Sequence, residues 1–247
     1  MSDAAGGAHA SLPRSLPPTC LRQPMIPLKD RNPTRLFPLV TVALIALNIL
    51  ALLFELSLGG RLDGFIQVFG LVPARLTTAW SGEGVPLFAA VPVFTSIFLH
   101  GGWLHLIGNM LYLWVFGDNV EDKLGHGRFI FFYLLCGLAA SVLHVAMDPA
   151  SPIPTVGASG AVSGVLGAYL LLFPRARVLT LIPIFIFLQL AELPALVVIG
   201  IWFILQFVNG MISMGMDTAG MGGVAWWAHI GGFAAGMLLV YPFRKYK

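Results

Sequence analysis

Residues 36–58 read LFPLVTVALIALNILALLFELSL, and within this run Thr41, Asn48, Glu55 and Ser57 are the polar side chains. About 20 apolar residues in a helix, at 1.5 Å each, cross the hydrocarbon core of a bilayer. The run is long enough to span a membrane. The rest of the chain has the same character. Of its 247 residues 57% are hydrophobic and 10% are charged, and the mean hydropathy is +0.86. A soluble domain carries about 25% charged residues, and disorder needs low hydrophobicity with high charge. Neither a soluble fold nor a disordered chain fits.

Outward from this first span the chain divides into further apolar runs. Residues 1–35 are Pro-rich and basic, with no apolar core of a secretory signal, and read as an N-terminal tail. Residues 59–101 form a long connection of mixed character, expected to lie partly folded on the membrane surface. Spans are expected at 102–117, 129–147, 158–173, about 193–209 and about 224–242. Residues 118–128 read as a charged loop, and 148–157, with three prolines, as non-helical. The apolar run 178–190 is not counted as a span. Pro194 reads as a first-turn proline of the fifth span. The expected fold is an all-α membrane bundle of six transmembrane helices over residues 36–243, closed by a basic tail at 244–247.

Charge fixes the orientation. Twelve of the fourteen Lys and Arg residues fall in the two tails and in the loops after spans two and four, leaving Arg61 and Arg75 for the other side. Cytoplasmic segments carry the excess of Lys and Arg, so both termini are expected on the cytoplasmic side. A net charge of +3 on so apolar a chain serves this orientation rather than nucleic-acid binding. Cys20 and Cys136 are too far apart in context to suggest a disulfide framework or a metal site.

Orientation converts sequence position into depth. Spans two, four and six all run inward from the outer face. His105 and Asn109 open span two, Ser159 opens span four, and His229 lies about one turn into span six. Polar and ionisable groups inside a membrane mark functional sites by default. Packing offers a second account of the neighbouring residues: Gly160, Gly164 and Ala168 form a small-residue stripe, and Gly232 and Gly236 form a GxxxG. The two readings are compatible. Helices that meet through small faces would bring Ser159 and His229 within reach of each other, and a serine needs such a base to become a nucleophile. The helix N-terminus at Ser159 would supply backbone N–H groups to an oxyanion. His105 and Asn109, spaced i and i+4, share one helix face, either as glue between helices or as donors to a substrate carbonyl. His144 and His100 read as structural. No acid has a sequence link to His229, so a Ser–His dyad is expected rather than a triad. Glu55 and Glu192 fall near span ends and need no catalytic role.

These residues resemble the rhomboid family of intramembrane serine proteases. The matching pieces are His105-Leu-Ile-Gly-Asn109-Met, Gly157-Ala-Ser159-Gly160 with Gly164 following, and Ala228-His229-Ile-Gly-Gly232-Phe-Ala-Ala-Gly236, in the family's order on spans two, four and six. The resemblance covers roughly residues 25–243. It implies Ser159 as nucleophile, His229 as general base, and Asn109, His105 and the Ser159 N–H as oxyanion hole. It also implies cleavage of transmembrane helices of other proteins near their outer ends. Two family features are absent. Ser163 stands where some members carry an aromatic residue that stacks on the histidine, with Trp226 or Trp227 as substitutes to consider. Trp80 is followed by Ser81 rather than Arg.

The expected partners are the lipid bilayer and transmembrane protein substrates, with no nucleic acid, metal or cofactor. The expected location is a prokaryotic cytoplasmic membrane. A non-catalytic rhomboid-like binder is the alternative. A transporter fits less well, because no inverted repeat is visible and the polar cluster lies away from the midplane. The Gly-rich loop 210–223 or the start of span five is the expected gate.

Overall fold

The computed structural model describes residues 25–83, 86–184, 187–214 and 224–245. Cys20, Asp217 and most of the Gly-rich loop lie outside the described residues. Nine helices are described: α1 (Leu39–Ser57), α2 (Leu62–Phe69), α3 (Pro73–Thr78), α4 (Pro86–Thr95), α5 (Trp103–Leu124), α6 (His126–Met147), α7 (Ser159–Leu172), α8 (Ala195–Ser213) and α9 (Trp226–Phe243). By length and composition α1, α6 and α8 can each cross a membrane. Residues Ala90–Phe98 and α5 meet at 83° across a short break, and counted as one broken span they bring the number to four. Helix α7 is apolar but shorter.

Helix α7 is the centre of the bundle. Every side chain from Gly160 to Tyr169 is buried, and α7 packs most extensively on α9, then on α6 and α5. A helix that is apolar all round belongs inside other helices. Large outward side chains, including Leu50 and Phe54 of α1, Leu104 and Trp114 of α5, Phe131 of α6, Ile204 of α8 and Leu238 of α9, stay exposed. That distribution suits a lipid-facing surface.

Close approach through glycine sets the α7–α9 contact. A Cβ on Gly232 would overlap the carbonyl oxygen of Gly160, and one on Gly236 would overlap that of Gly164. Between apolar helices in lipid, such backbone proximity supplies the van der Waals contact that holds them together.

The all-α expectation needs correction. Three strands form an antiparallel sheet in the order β1 (Ile26–Asp30), β2 (Arg177–Ile184), β3 (Phe187–Pro194). Ile26 pairs with Leu181, and Thr180 with Ala191. The apolar run after α7 is rich in β-branched residues, and Pro183 would interrupt a helix. A short apolar run does not by itself distinguish strand from helix. Strand β1 lies inside the segment read as a tail. The Asp30 carboxylate anchors it, accepting hydrogen bonds from Tyr169 Oη of α7 at 2.6 Å and Asn119 Nδ2 of α5 at 3.0 Å.

Three boundaries also shift. Helix α5 runs seven residues past the expected end of span two, through the segment read as a loop. Charged residues continue a helix readily, and Gly125, at φ 82°, ends it. One of those charges, the buried Glu121, accepts the Val40 and Thr41 N–H groups and the Thr41 hydroxyl, at 2.7–2.8 Å. It thereby satisfies donors that the first turn of α1 leaves without partners. Pro194 stands just before α8 rather than inside its first turn. Residues 59–101 contain α2, α3 and α4.

Candidate active site

The segment before α7 sets the position of Ser159. Leu71 and Thr155 exchange backbone hydrogen bonds of 3.0 and 2.8 Å, and the Gly157 N–H donates to the Ser96 carbonyl at 2.8 Å. The chain then turns at Gly157, whose φ of 135° suits glycine alone. Ser159 is the first residue of α7, half-buried between buried Ala158 and Gly160. Its N–H belongs to the group that an α-helix leaves unpaired at its N-terminus.

Side chains of α5 close on the same turn. A Cβ at Gly157 would lie 2.8 Å from both Cε1 and Nε2 of His105 and 3.6 Å from Nδ2 of Asn109. The Gly101 N–H donates to His105 Nδ1 at 3.4 Å, which leaves the Nε2 of a neutral ring protonated and directed toward the turn. Asn109 is buried and donates through Nδ2 to His100 Nε2 at 3.0 Å. His100 in turn donates from Nδ1 to the Phe98 carbonyl at 3.3 Å, and its backbone N–H reaches the buried Glu55 carboxylate at 3.2 and 3.3 Å. Asn109 carries two N–H bonds, so one is fixed by His100 and the second stays available.

A cavity of about 30 Å³ opens beside Ser159, lined by Ser141, His144, Thr155, Gly157, Ala225 and Ala228 among others. Such a volume holds one or two water molecules. His144 Nε2 bonds Thr155 Oγ1 at 2.8 Å, which fits the structural reading given to it.

His229 follows Ala228 on the first turn of α9. A Cβ on Gly160 would touch the Ala228 carbonyl oxygen at 3.7 Å and its Cβ at 3.9 Å, so the first turns of α7 and α9 face each other. Among the described residues no hydrogen bond joins Ser159 to His229. The Ser159 carbonyl accepts from the Ser163 hydroxyl at 2.6 Å, and His229 Nδ1 bonds Gln206 Oε1 of α8 at 2.7 Å. Catalytic hydrogen bonds of unliganded sites are often long and tighten with substrate. Two tryptophans flank the imidazole. Trp202 lies at 5.9 Å, tilted by 39°, and Trp226 meets it edge-on at 6.2 Å. Trp227 faces Gly210 instead.

Sequence reading expects His105, Asn109, Ser159 and His229 at one end of the bundle. The structure sets His105 and Asn109 against the Gly157 turn that leads into Ser159, and the first turn of α9, which carries His229, faces the first turn of α7. Sequence reading misses Gln206, Trp202 and the His100–Asn109 pair. Gln206 is an uncharged polar residue in an apolar span, 23 positions from its partner. Among the described residues no group of three or more His, Cys, Asp or Glu converges to hold a metal.

The sequence is similar to those of known proteins. The Rhomboid domain family matches residues 88–246. Rhomboid protease GluP of Bacillus subtilis (strain 168) is 38% identical over 134 residues, covering 54% of this chain and 24% of that protein. Rhomboid protein 1, mitochondrial, of Saccharomyces cerevisiae (strain ATCC 204508 / S288c) is 31% identical over 163 residues, covering 63% of this chain and 42% of the relative. Putative rhomboid protease YdcA of Bacillus subtilis (strain 168) is 31% identical over 136 residues, covering 55% and 63%. The chain therefore spans less than two thirds of the length of each of these relatives. With a domain match across most of its length, on a largely helical frame of apolar helices, the chain belongs to the rhomboid family.

Proposed function

We propose that this protein is an intramembrane serine endopeptidase of six spans, with both termini on the cytoplasmic side, that cuts transmembrane helices of other membrane proteins near their outer ends. The observation that carries the reading is the convergence of four groups on the turn at Gly157: the first residue of α7, two side chains of α5 and the first turn of α9. Relatives named as proteases support it.

In this reading His229 Nε2 takes the proton of Ser159 Oγ as the oxygen attacks the scissile carbonyl. Negative charge develops on the carbonyl oxygen. Asn109 Nδ2–H, His105 Nε2–H and the Ser159 backbone N–H are the donors that receive it. Collapse passes the proton from His229 to the leaving amine. Water from the cavity beside Ser159 then hydrolyses the acyl-enzyme through the same base. Lateral entry would use the end of the bundle near α8.

The twelve-to-two bias of basic residues supports the topology. A prokaryotic cytoplasmic membrane is the setting we propose, although relatives include mitochondrial proteins. The alternative reading is a rhomboid-like binder without proteolysis.

The deciding test uses the full chain in detergent with a model transmembrane substrate. Cleavage that is lost in both Ser159→Ala and His229→Ala supports the protease. Full cleavage by Ser159→Ala overturns it. Binding of the substrate without any cleavage favours the second reading.

A further inference from the structure

We propose that Gln206 is a positioning residue that fixes the tautomer and orientation of His229, so that the site works as a Ser–His pair backed by a neutral amide. The inference rests on the protease reading and adds a third member to it. Gln206 is 2% exposed, and its Oε1 lies 2.7 Å from His229 Nδ1. A carbonyl oxygen only accepts, so the Nδ1 of His229 carries the ring proton. The lone pair of a neutral imidazole then sits on Nε2, the atom on the other side of the ring and the one able to receive a proton from serine. The opposite tautomer would put N–H toward the nucleophile and disable the base.

The neighbourhood supports this role. Trp202, four residues before Gln206, shares its face of α8 and packs against the same imidazole at 5.9 Å. Helix α8 thus holds His229 by one hydrogen bond and one ring contact. Among the described residues no carboxylate hydrogen-bonds His229. In an apolar bundle a neutral amide orients the base without the cost of burying an ionised group. Gln206 makes no contact with the reacting atoms in this scheme and acts only through His229.

The test uses the full chain in detergent and a model transmembrane substrate. Gln206→Leu keeps a similar volume and removes the acceptor. It is expected to lower kcat by about tenfold or more, a fraction of what a general base contributes, with KM unchanged. Gln206→Glu restores an acceptor and is expected to recover most of kcat. Histidine 15N spectra of the unsubstituted chain, with His229 assigned by His229→Gln, are expected to show a protonated Nδ1. An unchanged kcat in folded Gln206→Leu overturns the proposal, as does an unprotonated Nδ1 in the parent. If Gln206→Leu does not fold, the parent spectrum still decides. Full cleavage by Ser159→Ala would instead remove the protease reading, and the tautomer of His229 would stand as a separate result.

Discussion

Gly232 of α9 lies against Gly160 of α7 so closely that a Cβ at position 232 would overlap the Gly160 carbonyl oxygen. The obstacle is backbone, which does not rotate aside as a side chain does. The helices must separate, and the first turns carrying Ser159 and His229 separate with them.

Gly232→Ala is therefore expected to destabilise the bundle by about 1–3 kcal/mol, the range for overpacking a close-packed interior, and to lower any cleavage activity further than stability alone would. Gly108 and Gly200 have open space around a new Cβ. Gly200→Ala is expected to be neutral or stabilising by a few tenths to about 1 kcal/mol, because alanine favours a helix. Thermal unfolding in detergent reads both. Equal destabilisation by the two substitutions would show that packing at Gly232 is not special.

Glu121→Ala tests a different junction. The carboxylate serves three donors of Val40 and Thr41 and also bonds His126 Nδ1 at 2.5 Å. Its removal leaves buried N–H groups of α1 unpaired, at about 1–3 kcal/mol for each uncompensated group. The variant is expected to unfold at a clearly lower temperature, with Glu121→Gln less affected because an amide oxygen still accepts. An Ala variant as stable as the parent would show that water or another group satisfies α1.

The apolar helices are legible in sequence because lipid imposes length and polarity on a spanning helix, and three or four of them are long and apolar enough to cross a membrane. The run at Leu36–Leu58 and the stripe at Gly160, Gly164 and Ala168 state those demands locally. The four candidate site residues stand out because nothing in so apolar a chain explains them as packing alone. The rest was hidden for identifiable reasons. Charges at Asp118–Lys123 look like a loop, yet they continue α5, and Glu121 faces inward to bond α1. The sheet depends on β1 finding β2 about 150 residues away in sequence, a pairing no local pattern declares. Gln206, Trp202 and His100 act through partners on other segments or across a bend. Trp202 packs on the His229 ring from α8, whereas sequence neighbours of His229 suggested only Trp226 or Trp227.

Asp30 gives a pH dependence outside the spans. Burial in the β1 junction raises its carboxyl to about 6 from an ordinary 3.8, partly offset by the Tyr169 hydrogen bond. The folded state then binds this proton more tightly than the unfolded chain does. Its stabilising contribution is greatest below about pH 4 and is lost as the pH rises through about 6. Stability is expected to decline across that window, and Asp30→Asn is expected to flatten the decline. Unfolding temperature against pH for the two proteins checks this. Parallel curves would show that Asp30 titrates alike in both states.

In the proposed mechanism Asn109 is an oxyanion donor and His100 its support, and substitution can separate the two roles. Asn109 Nδ2 donates to His100 Nε2 at 3.0 Å, and the ring of His100 is held by the Phe98 carbonyl. On that proposal Asn109→Ala removes a donor to the developing charge, so kcat is expected to fall by about 100-fold or more with little change in KM. His100→Phe keeps a buried ring but frees the amide to rotate. Its expected loss is smaller, because the donor remains and only its orientation relaxes. In the double variant the two effects should not add, since His100 acts through a side chain that is no longer there. Steady-state kinetics on a transmembrane substrate supply all three values. Full additivity would mean that His100 supports the site by some route other than Asn109, such as the backbone N–H that it donates to Glu55.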